Sequence, residues 1–179
     1  YIYCGLGLCY EGIEQYGMGL KCEKKALEIF LNETPWNRMV IATRYGNIGD
    51  YYWELGKHDL GMKYQEKALA IRRDELGENH PHLAMSYAHL GKYYWELEDY
   101  EKGLEYEKEA LRIRRICSEE SSSGLLESYE SIGEYYREQE EYKKALKYEK
   151  NALRIYRKSN GEWCLKTKDS YKVVAECYR

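Results

Sequence analysis

Proline is scarce: the 179 residues contain two, Pro35 and Pro81. Because proline stops a helix and fixes its own φ, its rarity leaves long stretches open to helix and excludes a proline-rich linker. No apolar run approaches the roughly 20 residues that a membrane-spanning helix needs. Neither sign of charge dominates, with 28 Lys and Arg against 31 Asp and Glu and a net charge of −3. That balance gives no electrostatic footprint for nucleic acid or an anionic membrane. The sequence also lacks a C-x-x-C pair, a glycine-rich phosphate loop and a nucleophile motif, so no enzyme activity, metal or cofactor is expected. Phenylalanine occurs once, against 21 tyrosines.

What is present is a repeat. Tyr45-Gly46-Asn47-Ile48-Gly49-Asp50-Tyr51-Tyr52-Trp53 recurs 42 residues later from Tyr87 to Trp95, and 42 residues later again from Tyr129 to Arg137. The same stride reaches Tyr3 to Tyr10 and Tyr171 to Tyr178. Self-similarity at such a period marks a stack of equal supersecondary units. Tyrosine suits a thin array, since its ring packs while its hydroxyl meets water.

Apolar residues at i, i+3 and i+7 predict helices over about Tyr16–Leu31, Asn37–Leu55 and Asp59–Glu75. The expected core of the second unit is Ile41, Tyr45, Ile48, Tyr52 and Leu55 on its first helix, and Leu60, Gly61, Tyr64, Ala68, Leu69 and Ile71 on its second. Leu83, Tyr87, Leu90, Tyr94, Leu97, Tyr100 and Leu104 continue the pattern in the third unit. Leu126, Tyr129, Ile132, Tyr136 and Tyr142 carry it into the fourth. The unit boundaries read 1–36, 37–78, 79–120, 121–162 and 163–179, with the first and last incomplete.

Glycine recurs inside predicted helices at Gly7, Gly49, Gly91 and Gly133, and again at Gly19, Gly61 and Gly103. Each costs about 0.8–1.0 kcal/mol against alanine. Close backbone approach between the paired helices is the expected compensation. The cysteines, Cys4, Cys9, Cys22, Cys117, Cys164 and Cys177, are scattered, and two of them share a column with Tyr51, Tyr93 and Tyr135. Free packing thiols in a reducing, cytoplasmic compartment are expected.

These columns resemble the tetratricopeptide repeat pattern. The 42-residue stride and the His80-Pro81 box are similar to the variant in kinesin light chains and bacterial relatives, although only the third unit keeps that box. The resemblance implies an all-α solenoid of antiparallel helix pairs, wound as a right-handed superhelix, whose first helices line a concave groove. It implies a protein- or peptide-binding scaffold, as part of a larger adaptor or regulatory protein.

If Tyr87, Leu90 and Tyr94 face the second helix, Ala88, Lys92 and Trp95 share another face. The equivalent sets are Gly46, Asp50 and Trp53, and Glu130, Glu134 and Arg137, with Cys4, Leu8 and Glu11 and Lys172, Glu176 and Arg179 at the ends. Asn47, His89, Lys92, Trp53 and Trp95 form a candidate anchor patch, tryptophan being favoured where binding energy concentrates. Equally, the two tryptophans pack at the helix turn, on Leu55 or Leu97. Glu127, Glu130, Glu134 and Glu138, relieved by Arg137, either steer a basic ligand segment or form a solvated face. The family's clamp for a peptide carboxylate needs Lys and Asn here and is not matched. His80-Pro81-His82 reads as a loop cap, and Arg112-Ile113-Arg114-Arg115 as cations at a helix C-terminus. Two other functions stay open: a helical-repeat nucleic-acid binder, and an assembly module acting through exposed apolar end units such as Tyr171, Val174 and Tyr178.

Overall fold

A computed structural model describes residues 15–117, 123–160 and Ala175. Among the described residues there are seven long α-helices and no strand: α1 Tyr16–Glu33, α2 Arg38–Glu54, α3 His58–Leu76, α4 Pro81–Glu96, α5 Tyr100–Cys117, α6 Ser123–Glu138 and α7 Tyr142–Asn160. The chain divides into two compact units, Tyr1–Glu78 with α1 to α3 and Asn79–Arg179 with α4 to α7. The expected terminal helices, before residue 14 and after residue 163, lie outside the described residues except for Ala175, as do Gly7, Cys4, Cys9, Cys164 and Cys177.

Chemistry at the helix ends explains where they stop. Asn37 caps α2 by accepting from the Val40 amide, and His80 Nδ1 accepts from the His82 amide at 3.2 Å with Pro81 opening α4. The His80-Pro81-His82 segment is therefore a cap, as its sequence suggests. After α2, α4 and α6 the chain turns through a residue with positive φ: Gly56 at 69°, Glu98 at 62° and Glu140 at 58°. In each case the next amide bonds back to a tyrosine carbonyl, Tyr52, Tyr94 or Tyr136, at 2.8–2.9 Å. This 6→1 closure satisfies carbonyls that a helix end leaves open.

Those turns fold α2 onto α3, α4 onto α5 and α6 onto α7. Gly49 and Gly61, equidistant from Leu55, meet so closely that a Cβ on Gly49 would lie 3.0 Å from the Gly61 carbonyl. Gly91 and Gly103 repeat the contact at 3.3 Å. The helices are antiparallel there, and side-chain-free backbones give the close approach expected from the glycine columns.

Tyrosine fills the space beside it. Tyr64 lies between Tyr45 and Tyr52, Tyr106 between Tyr87 and Tyr94, and Tyr148 between Tyr129 and Tyr136, with ring centroids 5.3–6.4 Å apart. Each second helix is thus clasped by two rings of its first helix. Ile48, Leu90 and Ile132 are wholly buried beneath, each worth about 1.5–3 kcal/mol against exposure. Within the units, α1 packs on α2 and α5 on α6.

Four residues expected in the core are not in it. Leu55, Leu60, Leu97 and Tyr142 are exposed. All flank the turns between paired helices, where the chain has left the contact zone.

Candidate functional site

The polar side of the first helices is built differently in the two units. In Tyr1–Glu78, Asp50 and Asn47 are half-buried on α2. Gln65 of α3, buried, donates from Nε2 to the Gly46 carbonyl at 3.1 Å and to Asp50 Oδ1 at 2.6 Å. A Cβ on Gly46 would stand 3.4 Å from a guanidinium nitrogen of Arg72, so the missing side chain leaves room for that group. Burial pulls the Arg72 guanidinium below its usual value while Asp50 opposes the shift. Asp50 is therefore held by Gln65 and stays half-buried.

Trp53 does not join an exposed patch. It is 5% exposed and stacks on His58 at 4.3 Å and 22°. Its ring also lies 3.3 Å from where a Cβ on Gly61 would stand. Trp95 is half-buried, edge-on to Tyr100 at 5.3 Å and to Tyr135 at 5.7 Å. Trp53 thus packs at the helix turn on His58, and Trp95 meets Tyr100 and Tyr135.

In Asn79–Arg179, His89 and Lys92 are exposed on α4, and Lys92 reaches Glu96 at 3.5 Å. On α6, Glu134 is exposed, whereas half-buried Glu130 accepts from the Tyr156 hydroxyl at 2.7 Å. Arg137 pairs with buried Glu149 at 3.4 Å. The acidic residues of α6 thus divide into structural groups (Glu130) and solvated ones (Glu134, Glu138). The end sets around Cys4 and Lys172 lie outside the described residues.

Beneath this face runs a feature that the sequence reading overlooked. Glu23, Gln65, Glu107 and Glu149 are buried polar residues at one stride of 42. A buried charge needs partners, and each has them. Glu23 takes both of its oxygens to Arg44 Nη1 at 2.8 Å. Ser128 donates to Glu107 at 3.2 Å and accepts from Arg114 at 2.6 Å. Burial raises the Glu107 carboxyl above its ordinary value, with Arg114 and Ser128 pulling it back, and burial likewise raises Glu149 against Arg137. Arg114 stands in the last turn of α5, as its sequence suggests, and is also an internal partner of Ser128. Arg112 bonds Asn79 Oδ1 at 2.6 Å and Glu109 at 2.9 Å. The signal was available: a Glu/Gln column in register with Ser86 and Ser128.

Among the described residues no cluster of His, Cys, Asp and Glu has metal-holding geometry, and no helix is long and apolar enough to cross a membrane. Cys22 and Cys117 are free thiols.

Models of the tetratricopeptide repeat match residues 40–116 and 125–162. Among solved structures, BtubC (BKLC) from P. vanneervenii superposes with a TM-score of 0.84 at 17% identity, over 98% of this chain and 70% of that one. Nearly identical TPR-like repeats of kinesin light chain type from Podosopora anserina give 0.82 at 15% identity, over 98% and 83%. MamA gives 0.65 at 21% identity, over 87% and 77%. At these identities the likeness is one of fold. No curated protein matches the chain in sequence.

Proposed function

Because this chain belongs to the tetratricopeptide repeat family, whose arrays are generally protein-interaction scaffolds, we propose that it binds a protein or peptide segment on the outward side of its first helices. The observation that carries the reading is on α4 and α6. His89, Lys92 and Glu134 are exposed there, above a layer in which Arg114, Ser128 and Glu107 are bonded to one another. A bonded layer beneath them keeps the backbone that carries these side chains from having to order on meeting a ligand, which favours binding. Mixed sign on this face suits a segment carrying both charges. Trp53 has no part in the proposal, since its ring is already covered.

Selection of peptides from a displayed random library tests it. Peptides recovered on the wild-type protein should lose at least tenfold in affinity on a His89→Ala/Lys92→Glu variant, about 1.4 kcal/mol. Lys63→Glu, on the exposed side of α3, should leave them unaffected. Peptides that bind both variants as they bind wild type would remove this face from consideration.

A further inference from the structure

A cleft of about 590 Å³ opens between the second helices α5 and α7, with α6 as its floor. Arg115 stands at one side and Lys147, Asn151 and Arg154 at the other. Leu111, Leu125, Tyr129 and Tyr148 line its depth. None of these belongs to the face of His89 and Lys92, so the cleft is a separate site from the one proposed above.

Its charge is one-sided. Helix α7 carries seven Lys and Arg and a single acid, Glu149, and that acid is buried against Arg137. Among the described residues no carboxylate lines the opening. Arg115 and Lys147 are exposed and neither has an ion pair among the described residues. Such a volume is typical of sites that enclose a few side chains. An apolar, tyrosine-walled bottom beneath a cationic rim is matched by a chain that alternates acidic and apolar groups. A nucleic-acid strand calls for a longer cationic track than one opening between two helices.

We propose that this cleft binds an acidic peptide segment, its carboxylate or phosphate groups held by Arg115, Lys147 and Arg154 and an apolar side chain seated on Tyr129 and Tyr148. Carboxylate and phosphoserine share this chemistry, and the test separates them.

Fluorescence anisotropy with the whole chain would use three labelled octapeptides: Glu-Glu-Leu-Glu-Glu-Tyr-Glu-Glu, its counterpart with two phosphoserines replacing glutamates, and the same peptide with lysine for every glutamate. Saturable binding of either acidic peptide, weakening as salt rises from about 50 to about 200 mM, is the expected result. Arg115→Glu/Lys147→Glu should lower affinity at least tenfold. Arg115→Gln/Lys147→Gln, which avoids new repulsion and guards against a folding defect, should lower it severalfold with an unchanged circular dichroism spectrum. Lys21→Glu/Lys63→Glu makes an equal charge change at exposed positions outside both sites and should stay within twofold of wild type. The ratio of the two acidic peptides identifies the preferred anion. Lack of saturable binding by both acidic peptides, equal losses in the cleft and control variants, or displacement of bound acidic peptide by the lysine peptide would each overturn the proposal. So would a single-stranded RNA octamer that binds more tightly than either acidic peptide.

Discussion

At the scale of single residues, the left-handed turns and the glycine contacts make opposite demands. Glu98 and Glu140 occupy positive φ where the preceding turn has Gly56, a conformation that costs a residue with a Cβ roughly 1–2 kcal/mol. Glu98→Gly should therefore stabilise the protein by about 0.5–1 kcal/mol, net of the freedom glycine gains when unfolded, and a thermal melt checks it. Gly91 is the reverse case. A Cβ there meets the Glu107 side chain at 3.2 Å and the Gly103 carbonyl at 3.3 Å. Gly91→Leu should lower stability by about 1–3 kcal/mol or more through overpacking, against the trend of helix propensity. Gly17→Ala, with nothing within 4 Å of the new Cβ, should instead be neutral or gain up to about 1 kcal/mol. If the two glycine variants melt alike, close approach is not what keeps glycine at residue 91.

Between paired helices, the buried carboxyls set a dependence on pH. Both Glu107 and Glu149 are shifted upward, first by burial. From the unfolded value near pH 4.3 up through the raised folded value, the native state holds more protons than the unfolded one. Stability from these groups is present at low pH and declines as pH rises through that window. Glu107→Gln keeps an acceptor for Ser128 and cannot ionise. Its stability relative to wild type should grow from acid to neutral pH, followed as urea midpoints; a difference that is constant with pH contradicts the buried-carboxyl account. The helices themselves were legible in the sequence because their apolar rows and glycine columns repeat, and the structure begins and ends α1, α2 and α3 within two residues of the expected positions. The Glu/Gln column was not, since a charged residue on a helix reads as solvated unless its partner is known, and the partners Arg44 and Ser128 lie on a different helix. Trp53 was legible only as two alternatives. Its fate depended on His58 and Gly61, across a turn whose geometry periodicity does not describe.

Across the whole molecule, contacts within each unit join helices adjacent in sequence. In such architectures stability is close to a sum of local and nearest-neighbour terms. Ile132→Ala, at a wholly buried position on α6, should cost about 2–5 kcal/mol. Hydrogen exchange followed by mass spectrometry should show the loss of protection concentrated in peptides from α6 and α7, with those from α1 and α2 much less affected. Uniform loss along the chain would indicate a single cooperative block. The pairing of Arg44 with Glu23, and of Ser128 with Glu107, reaches from one hairpin to the helix that follows it. A hairpin of residues 37–78 copied in tandem would leave Glu23 with the first Arg44 but set the second Arg44 against Gln65, which offers no carboxylate. The smallest stretch that can be duplicated with its bonding intact starts at a second helix and closes with the next first helix, so lineages or designers that lengthen the chain are held to that phase.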